Sequence, residues 1–416
     1  MTEGARGTGP VEFDPFSSVY FDDPYETYRR LRDERPVYRN DRYGFTALSR
    51  WDDVVEASRN WQTFSSAHGV DLATLTSGRR PEFDSLIMID PPKHNRLRAL
   101  VSRVFSPRAV SALEPMIREV VRGFLDELGG RSGFDAVAEF SGPFPVEVIS
   151  VMLGVPPAER QQIRHWLDLV LTREEGQIAP GRAAQAAGLE MGSYFYELVG
   201  RKRRDPDEGM ISRLIEATVA DEEGREVALD DMEIAGFVAL LGGAGAETVT
   251  KLVANAIVLF DSHPDQWDAV LGDRSLIPGA VEELLRYHPP SQYQGRWTTE
   301  EVTLHGETIP AGRPVILITG AATRDERHFE DPDRFEILRK PELALGLGHG
   351  VHACLGAALA RMESRIAIEE FGARFPVFEV DREGLRRVQM ANVAGYSSVP
   401  VAVGRGRESR DRPTGG

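Results

Sequence analysis

From Ile234 to Phe260 the chain is apolar nearly all round: IAGFVALLGGAGAETVTKLVANAIVLF carries only two charges, Glu247 and Lys251. A helix of that composition is buried on every side and not along one stripe, and at 1.5 Å per residue it would run about 40 Å. Asp230, Asp231 and Glu233 suit the positive end of such a helix, and Ser262-His263-Pro264 stops it. Elsewhere apolar residues recur at spacings of three and four, notably in 111–128 and 189–204, which predicts amphipathic helices. Strand-like runs are few and short: 314–319, behind the turn at 309–312, and 42–49. No internal repeat is visible, and strands do not alternate with helices as they do in a doubly wound sheet. The pattern predicts a mainly α chain with small β-sheets, an α+β fold. It forms one large helical domain over 12–403, with 1–11 and 404–416 as flexible ends lacking apolar periodicity.

Composition narrows the function classes. With 416 residues, 41% hydrophobic and 27% charged, the chain can bury a large core. Lys and Arg number 49 against 65 Asp and Glu, a net −16 that argues against a general nucleic-acid-binding surface. The start shows no basic leader followed by an apolar run, and no uncharged apolar stretch reaches the roughly 18 to 20 residues of a membrane span. A cytoplasmic protein is therefore expected. Cys354 is the sole cysteine, which excludes an intramolecular disulfide framework and a paired-cysteine zinc site.

The apolar helix holds a local inconsistency. Gly242, Gly243 and Gly245 each cost on the order of 1 kcal/mol relative to Ala in a helix interior, and Glu247-Thr248 follows them. Two readings stand. The glycines admit a neighbouring helix while Thr248 bonds the carbonyl one turn back; or small residues clear room for a flat ligand, with Glu247 and Thr248 handling protons beside it.

Cys354 follows a run of glycines, Gly346, Gly348 and Gly350, and precedes a helical pattern whose face is Leu355, Leu359, Met362 and Ile366. The sulfur then sits at a helix N-terminus, where the dipole and free N–H groups favour the thiolate. Such a sulfur can be an inert thiol, a nucleophile or an axial metal ligand. Residues 348–353 also fit the dinucleotide pattern GxGxxG/A, but no strand precedes them. His349, His352 and Cys354 lack a fourth zinc ligand. A cysteine nucleophile with His352 as base, two residues apart in a glycine-rich turn, need not have its groups facing each other.

The run LGHGVHACLG, 347–356, resembles the haem-binding loop of the cytochrome P450 monooxygenases, FxxGxxxCxG, with Cys354 in the place of the thiolate ligand to haem iron and Leu347 where the family has Phe. Ala244-Gly245-Ala246-Glu247-Thr248 resembles the family's AGx[D/E]T, and Glu283-Leu284-Leu285-Arg286 its ExxR. Arg334, in Asp331-Pro332-Asp333-Arg334-Phe335, resembles the third member of the ExxR ion-pair network. Glu283 and Arg286 lie three apart on one helix face, and Arg334 could fork onto the carboxylate. The motifs occur in the family's order along nearly the whole chain, and the resemblance is to the soluble bacterial class.

That resemblance implies haem b as the cofactor, its propionates held by His94 and Arg98, one turn apart, by Arg296 and by His352, with Ala244, Gly348 and Gly350 against it. It implies that the thiolate favours O–O cleavage, and that O₂, two electrons and two protons convert a substrate RH into ROH and water. By the same resemblance Thr248 orders the proton relay and Glu247 links it to bulk solvent. A haem-thiolate sensor and a peroxide-using haem enzyme are the competing classes, and the acid–alcohol pair argues against both. The implied electron source is a small acidic ferredoxin with its NAD(P)H-dependent reductase. The stretch 93–113 carries Lys93, Arg96, Arg98, Arg103 and Arg108 without an acid, and Arg361 and Arg365 would add to this basic patch; Arg98 is explained by haem charge compensation, and Arg103, Arg108 and Arg361 are the residues expected to serve docking. The implied substrate pocket takes Met88, Leu240, Ala244, Gln292, Tyr293 and Tyr396; Gln292, Tyr293 and Gln294 suggest an apolar terpenoid, steroid, fatty acid or polyketide bearing a polar group. A monomer is expected.

Overall fold

Helices dominate the computed structural model, which describes residues 9–404 apart from 82–84, 103, 221–223 and 391. Arg103 and most of the ends expected to be flexible lie outside the described residues. The longer helices are α1 (Tyr25–Glu34), α2 (Trp51–Arg59), α3 (Lys93–Ser102), α4 (Glu114–Glu127), α5 (Pro143–Leu153), α6 (Arg160–Leu171), α7 (Arg182–Arg204), α8 (Asp231–Ser262), α9 (Pro264–Gly272), α10 (Ile277–Tyr287) and α11 (Ala357–Arg374).

The apolar segment is α8. Its start is a capping box: the Asp230 carboxylate accepts from the Glu233 N–H at 2.8 Å, and Glu233 accepts from the Asp230 N–H at 3.0 Å. It ends at Ser262 because Pro264 disfavours helical backbone at His263. Among the described residues it is the one helix long and apolar enough to cross a membrane, and most of it is buried inside the protein, packed against α5, α6, α7 and α11. The glycines make part of that packing possible. A Cβ on Gly242 would stand 3.2 Å from the Phe195 ring of α7, and one on Gly243 3.2 Å from Leu167 of α6.

The principal sheet has strands β1 (Val37–Asn40), β2 (Phe45–Leu48), β3 (Phe64–Ser65), β4 (Gln294–Thr298) and β5 (Pro314–Leu317) in the order β1-β2-β5-β4-β3. The β2–β5 pairing is parallel and the others antiparallel. Both strand-like runs of the sequence fall here. Val315 lies opposite Arg296, which holds that arginine in the sheet next to the helical core.

Candidate active site

The glycine-rich loop aims the cysteine. Gly348 and Gly350 both have φ of +73°, a region L side chains rarely adopt. A Cβ on Gly350 would stand 2.3 Å from the Ser58 carbonyl oxygen, so the loop lies directly against α2. The Cys354 N–H donates to the Leu347 carbonyl at 2.7 Å, closing the loop just before α11. Cys354 keeps accessible surface, and it opens on an internal cavity between this loop, α3, α8 and α11. Burial raises its thiol, opposed by the Gly356 N–H, Arg98 and Arg361. The helix N-terminus expected to favour the thiolate is thus outweighed by desolvation within the protein alone.

The same cavity is lined by Thr248, Ala244 and Gly245 of α8. Thr248 donates its hydroxyl proton to the Ala244 carbonyl at 2.9 Å, so both readings of the glycine-rich turn hold in part. Gly242 and Gly243 admit helices, while Ala244 and Gly245 leave space in front of the sulfur. Leu86, Ile87, Phe237, Leu240 and Leu241 complete this side with hydrocarbon. Glu247 is not on the wall. It is 5% exposed and pairs with Lys251 at 2.6 Å on another side of α8; burial raises its carboxyl against the pull of Lys251.

At the edge of the cavity four nitrogenous side chains meet. Arg98 of α3 donates to the Ala353 carbonyl at 2.5 Å. The His94 and His352 rings lie 4.5 Å apart, and Nε2 of each is buried without a hydrogen-bond partner. Arg296 is buried, and desolvation brings its guanidinium down to about 10 with Asp90 opposing. Burial, then Arg296, His94 and Arg98, push the His352 ring down to about 3. Two guanidinium groups with two orphaned ring nitrogens form a corner short of anions. The two propionates of a haem, with its iron toward Cys354, fit this donor set.

The ExxR motif forms a saturated buried ion pair. Arg286 donates to both Glu283 oxygens at 2.7 Å and to the carbonyls of Thr323, Pro332 and Arg334. The expected third member needs correction. Arg334 points outward and pairs with Glu336 at 3.0 Å, contributing only its backbone carbonyl to the network. Phe335 and Ile337 are inserted in the core, and this alternation turns Arg334 and Leu338 to solvent. Arg339 takes the position instead, its Nε 3.5 Å from Glu283.

The substrate residues divide. Leu240 and Ala244 line the cavity; Met88 does not, although Leu86 and Ile87 beside it do. Gln292 is fully buried elsewhere, accepting from the Tyr28 hydroxyl at 3.1 Å and donating to the Pro289 carbonyl at 2.7 Å. Tyr293 belongs to an aromatic cluster with Phe13, Tyr20 and Tyr28, and Tyr396 lies under the Arg387 guanidinium. Gln294 bonds Ser291 and Thr319. Each of these side chains is bonded or packed against other partners, and none of them lines the cavity.

On the side of α11, Arg361 is engaged by Glu282 through two contacts, and Arg365 by Glu114 and Glu369. Arg108 is exposed. Two groups of the site were missed from sequence. Glu363 of α11 lines the cavity, 2% exposed, with burial raising its carboxyl well above the usual range. Its signal was an acid three residues before Ile366, inside an otherwise inward-facing pattern. Arg339 gave no signal beyond its distance from the motif.

A larger groove between α6 and α7, lined by Trp166, Tyr194 and Arg201, is open to the surface, and Tyr194 and Arg201 are both bonded to Glu159. It carries none of the chemistry described above.

The family description of cytochrome P450 matches residues 181–392. The chain is 41% identical over 399 residues to cytochrome P450 123 of Mycobacterium tuberculosis, covering 95% of this chain and 98% of that one. It is 39% identical over 381 residues to the erythromycin C-12 hydroxylase of Saccharopolyspora erythraea, covering 90% and 93%. The solved structure of CYP109E1 from Bacillus megaterium in complex with testosterone superposes with a TM-score of 0.83 at 33% identity, over 92% of this chain and 99% of that one. The chain belongs to the cytochrome P450 family, the haem b monooxygenases.

Proposed function

We propose that this monooxygenase hydroxylates or epoxidises a bulky, largely apolar small molecule, with electrons from a small acidic ferredoxin and its NAD(P)H-dependent reductase. The observation that carries the reading is that Cys354 and Thr248 line one cavity, beside a surface of hydrocarbon side chains. With Gln292 and Tyr293 engaged elsewhere, the basis for a polar group on the substrate disappears. Leu86, Ile87, Phe237, Leu240 and Leu241 select by shape and by burial, worth roughly 25 cal/mol per Å² of apolar area. Relatives whose names and complexes carry erythromycin and testosterone support a macrocyclic or polycyclic framework over a plain alkane.

When bound, haem supplies iron whose thiolate ligand favours O–O cleavage. Cys354 would hold that iron, and Arg98, Arg296, His94 and His352 would hold the propionates. Those anions would oppose the depression of His352 that burial and the neighbouring cations cause. Thr248 donates its hydroxyl hydrogen bond to the Ala244 carbonyl, so its oxygen keeps acceptor lone pairs for the cavity. It thereby holds a water or other donor where a proton is needed, with Glu247 as the acid that resupplies it.

Arg108 and Arg96 are the charges we assign to ferredoxin docking, since Arg361 and Arg365 are neutralised by neighbouring acids. The deciding experiment is Thr248→Ala. Haem content, the reduced CO spectrum and substrate-induced spin shifts stay as in the parent, while NAD(P)H consumption is diverted to peroxide. Coupled turnover at the parent's level refutes the role of Thr248, and a CO complex without the thiolate signature refutes the ligation by Cys354.

A further inference from the structure

The two charges of the long apolar helix meet. Glu247 and Lys251, one turn apart on α8, pair at 2.6 Å with side chains only 6% and 4% exposed. An isolated charge so placed is strongly unfavourable, and removing one partner of such a pair leaves the other uncompensated. The surroundings fix the pair in place. Gly395, with φ of +153°, lies so close that a Cβ there would stand 2.8 Å from Cβ of Lys251 and 3.0 Å from its Cγ, so the backbone before Tyr396 clasps the lysine stem. From α6, Arg164 and Asp168 face the carboxylate, and Asp168 is half exposed. Glu247 therefore lies within the field of the half-exposed Asp168 of α6, while Thr248, its neighbour in sequence, lines the cavity from another side of α8.

We propose that Lys251 is the positioning residue of the proton path: it is the buried counter-charge that lets Glu247 exist as an anion inside the protein and holds its carboxyl on the α6 side of the central helix. The proposal rests on the monooxygenase reading for the purpose of the path, not for the existence of the pair. A relay acid has to alternate between ionised and neutral forms near the working pH. A carboxyl buried in hydrocarbon stays neutral, and a nearby ammonium restores the ionised form. In the cycle a proton enters from the Asp168 side and converts the Glu247 carboxylate to the acid. The acid gives that proton to the donor held by Thr248 and returns to the anion. Protons balance, since one enters from the Asp168 side for each one passed to the donor held by Thr248.

The test uses the haem-loaded protein with Lys251→Met, Lys251→Arg, Glu247→Gln and the double variant Glu247→Gln/Lys251→Met. Isotope-edited infrared spectra give the titration of the Glu247 carboxyl, identified by the band that Glu247→Gln removes. The expected result is a midpoint moved to higher pH in Lys251→Met by at least one unit, about tenfold in proton affinity, and retained in Lys251→Arg. Product formed per NAD(P)H falls in Lys251→Met, its dependence on pH moves in the same direction as the band, and Lys251→Arg restores both. In the Glu247→Gln background Lys251→Met has no further effect on coupling. An unmoved band in Lys251→Met, or an equal loss of coupling in the Glu247→Gln background, overturns the proposal. The infrared measurement requires no turnover, so its failure is distinct from failure of the relay role of Thr248, which Thr248→Ala decides.

Discussion

Arg334 and Arg339 exchange the importance that the motif alone assigns them. Arg334→Ala removes an ion pair to Glu336 whose arginine is 66% exposed. Pairs of that kind contribute about 0–1 kcal/mol, and the carbonyl that Arg334 lends to Arg286 survives the substitution. Arg339→Ala removes donations to the carbonyls of Glu330 at 2.7 Å and Asp331 at 3.1 Å, from a side chain only 17% exposed. It also withdraws a cation 3.5 Å from the fully buried Glu283. Hydrogen bonds from a charged donor contribute roughly 1.5–3 kcal/mol each, and Glu283 keeps both donations from Arg286 when Arg339 is removed, so a loss of about 1.5–3 kcal/mol is expected for Arg339→Ala against less than about 1 kcal/mol for Arg334→Ala. Urea unfolding followed by fluorescence and by haem absorbance at a fixed protein concentration measures both. Arg334→Ala as destabilising as Arg339→Ala would show that the exposed arginine does reach Glu283 in solution.

Three further outcomes are expected. The Glu363 carboxyl, raised by burial, binds its proton more tightly in the folded than in the unfolded chain, so this group's contribution to stability declines as pH rises from the ordinary carboxylate value through the folded one. Glu363→Gln removes that decline, so the variant gains on the parent between pH 5 and pH 8 by thermal unfolding, and parallel curves contradict the assignment. Gln292→Ala leaves the Tyr28 hydroxyl unpaired and lowers stability by about 1–3 kcal/mol without changing ligand affinity, whereas Leu240→Phe alters which ligands shift the spin state; a ligand preference changed by Gln292→Ala would return that residue to the pocket. Arg108→Glu slows reduction by an acidic ferredoxin about tenfold at low salt, an effect lost as salt screens it, while Arg361→Glu lowers stability by placing like charges beside Glu282; equal rates for Arg108→Glu and the parent at low salt argue for a different docking face.

Legibility from sequence followed the locality of the physics. The capping box at Asp230, the stop before Pro264 and the apolar periodicity of α8 depend on neighbours within a few residues, and the sequence carries them openly. The cysteine loop was legible for the same reason, since Gly348 and Gly350 at positive φ and a helix starting at Ala357 all lie within ten residues of Cys354. Gln292 and Tyr293 were misread because their partners, Tyr28 and the aromatic cluster around Phe13, lie more than 250 residues away. A polar side chain near a motif looks available until the distant group that bonds it is known.

By itself the sequence determined a mainly helical fold around one buried helix, a single sulfur at a helix start, and the pairing of Glu283 with Arg286, because spacing along a helix converts directly into a shared face. Only the tertiary structure decided which side chains share a cavity. It brought Thr248 and Cys354 to one cavity, turned Glu247 away onto Lys251, and put Arg339 in the place expected of Arg334. The reason is that burial and charge compensation depend on contacts between remote segments. The cost of leaving a charge or a donor unpaired in the interior is set by what the fold packs around it.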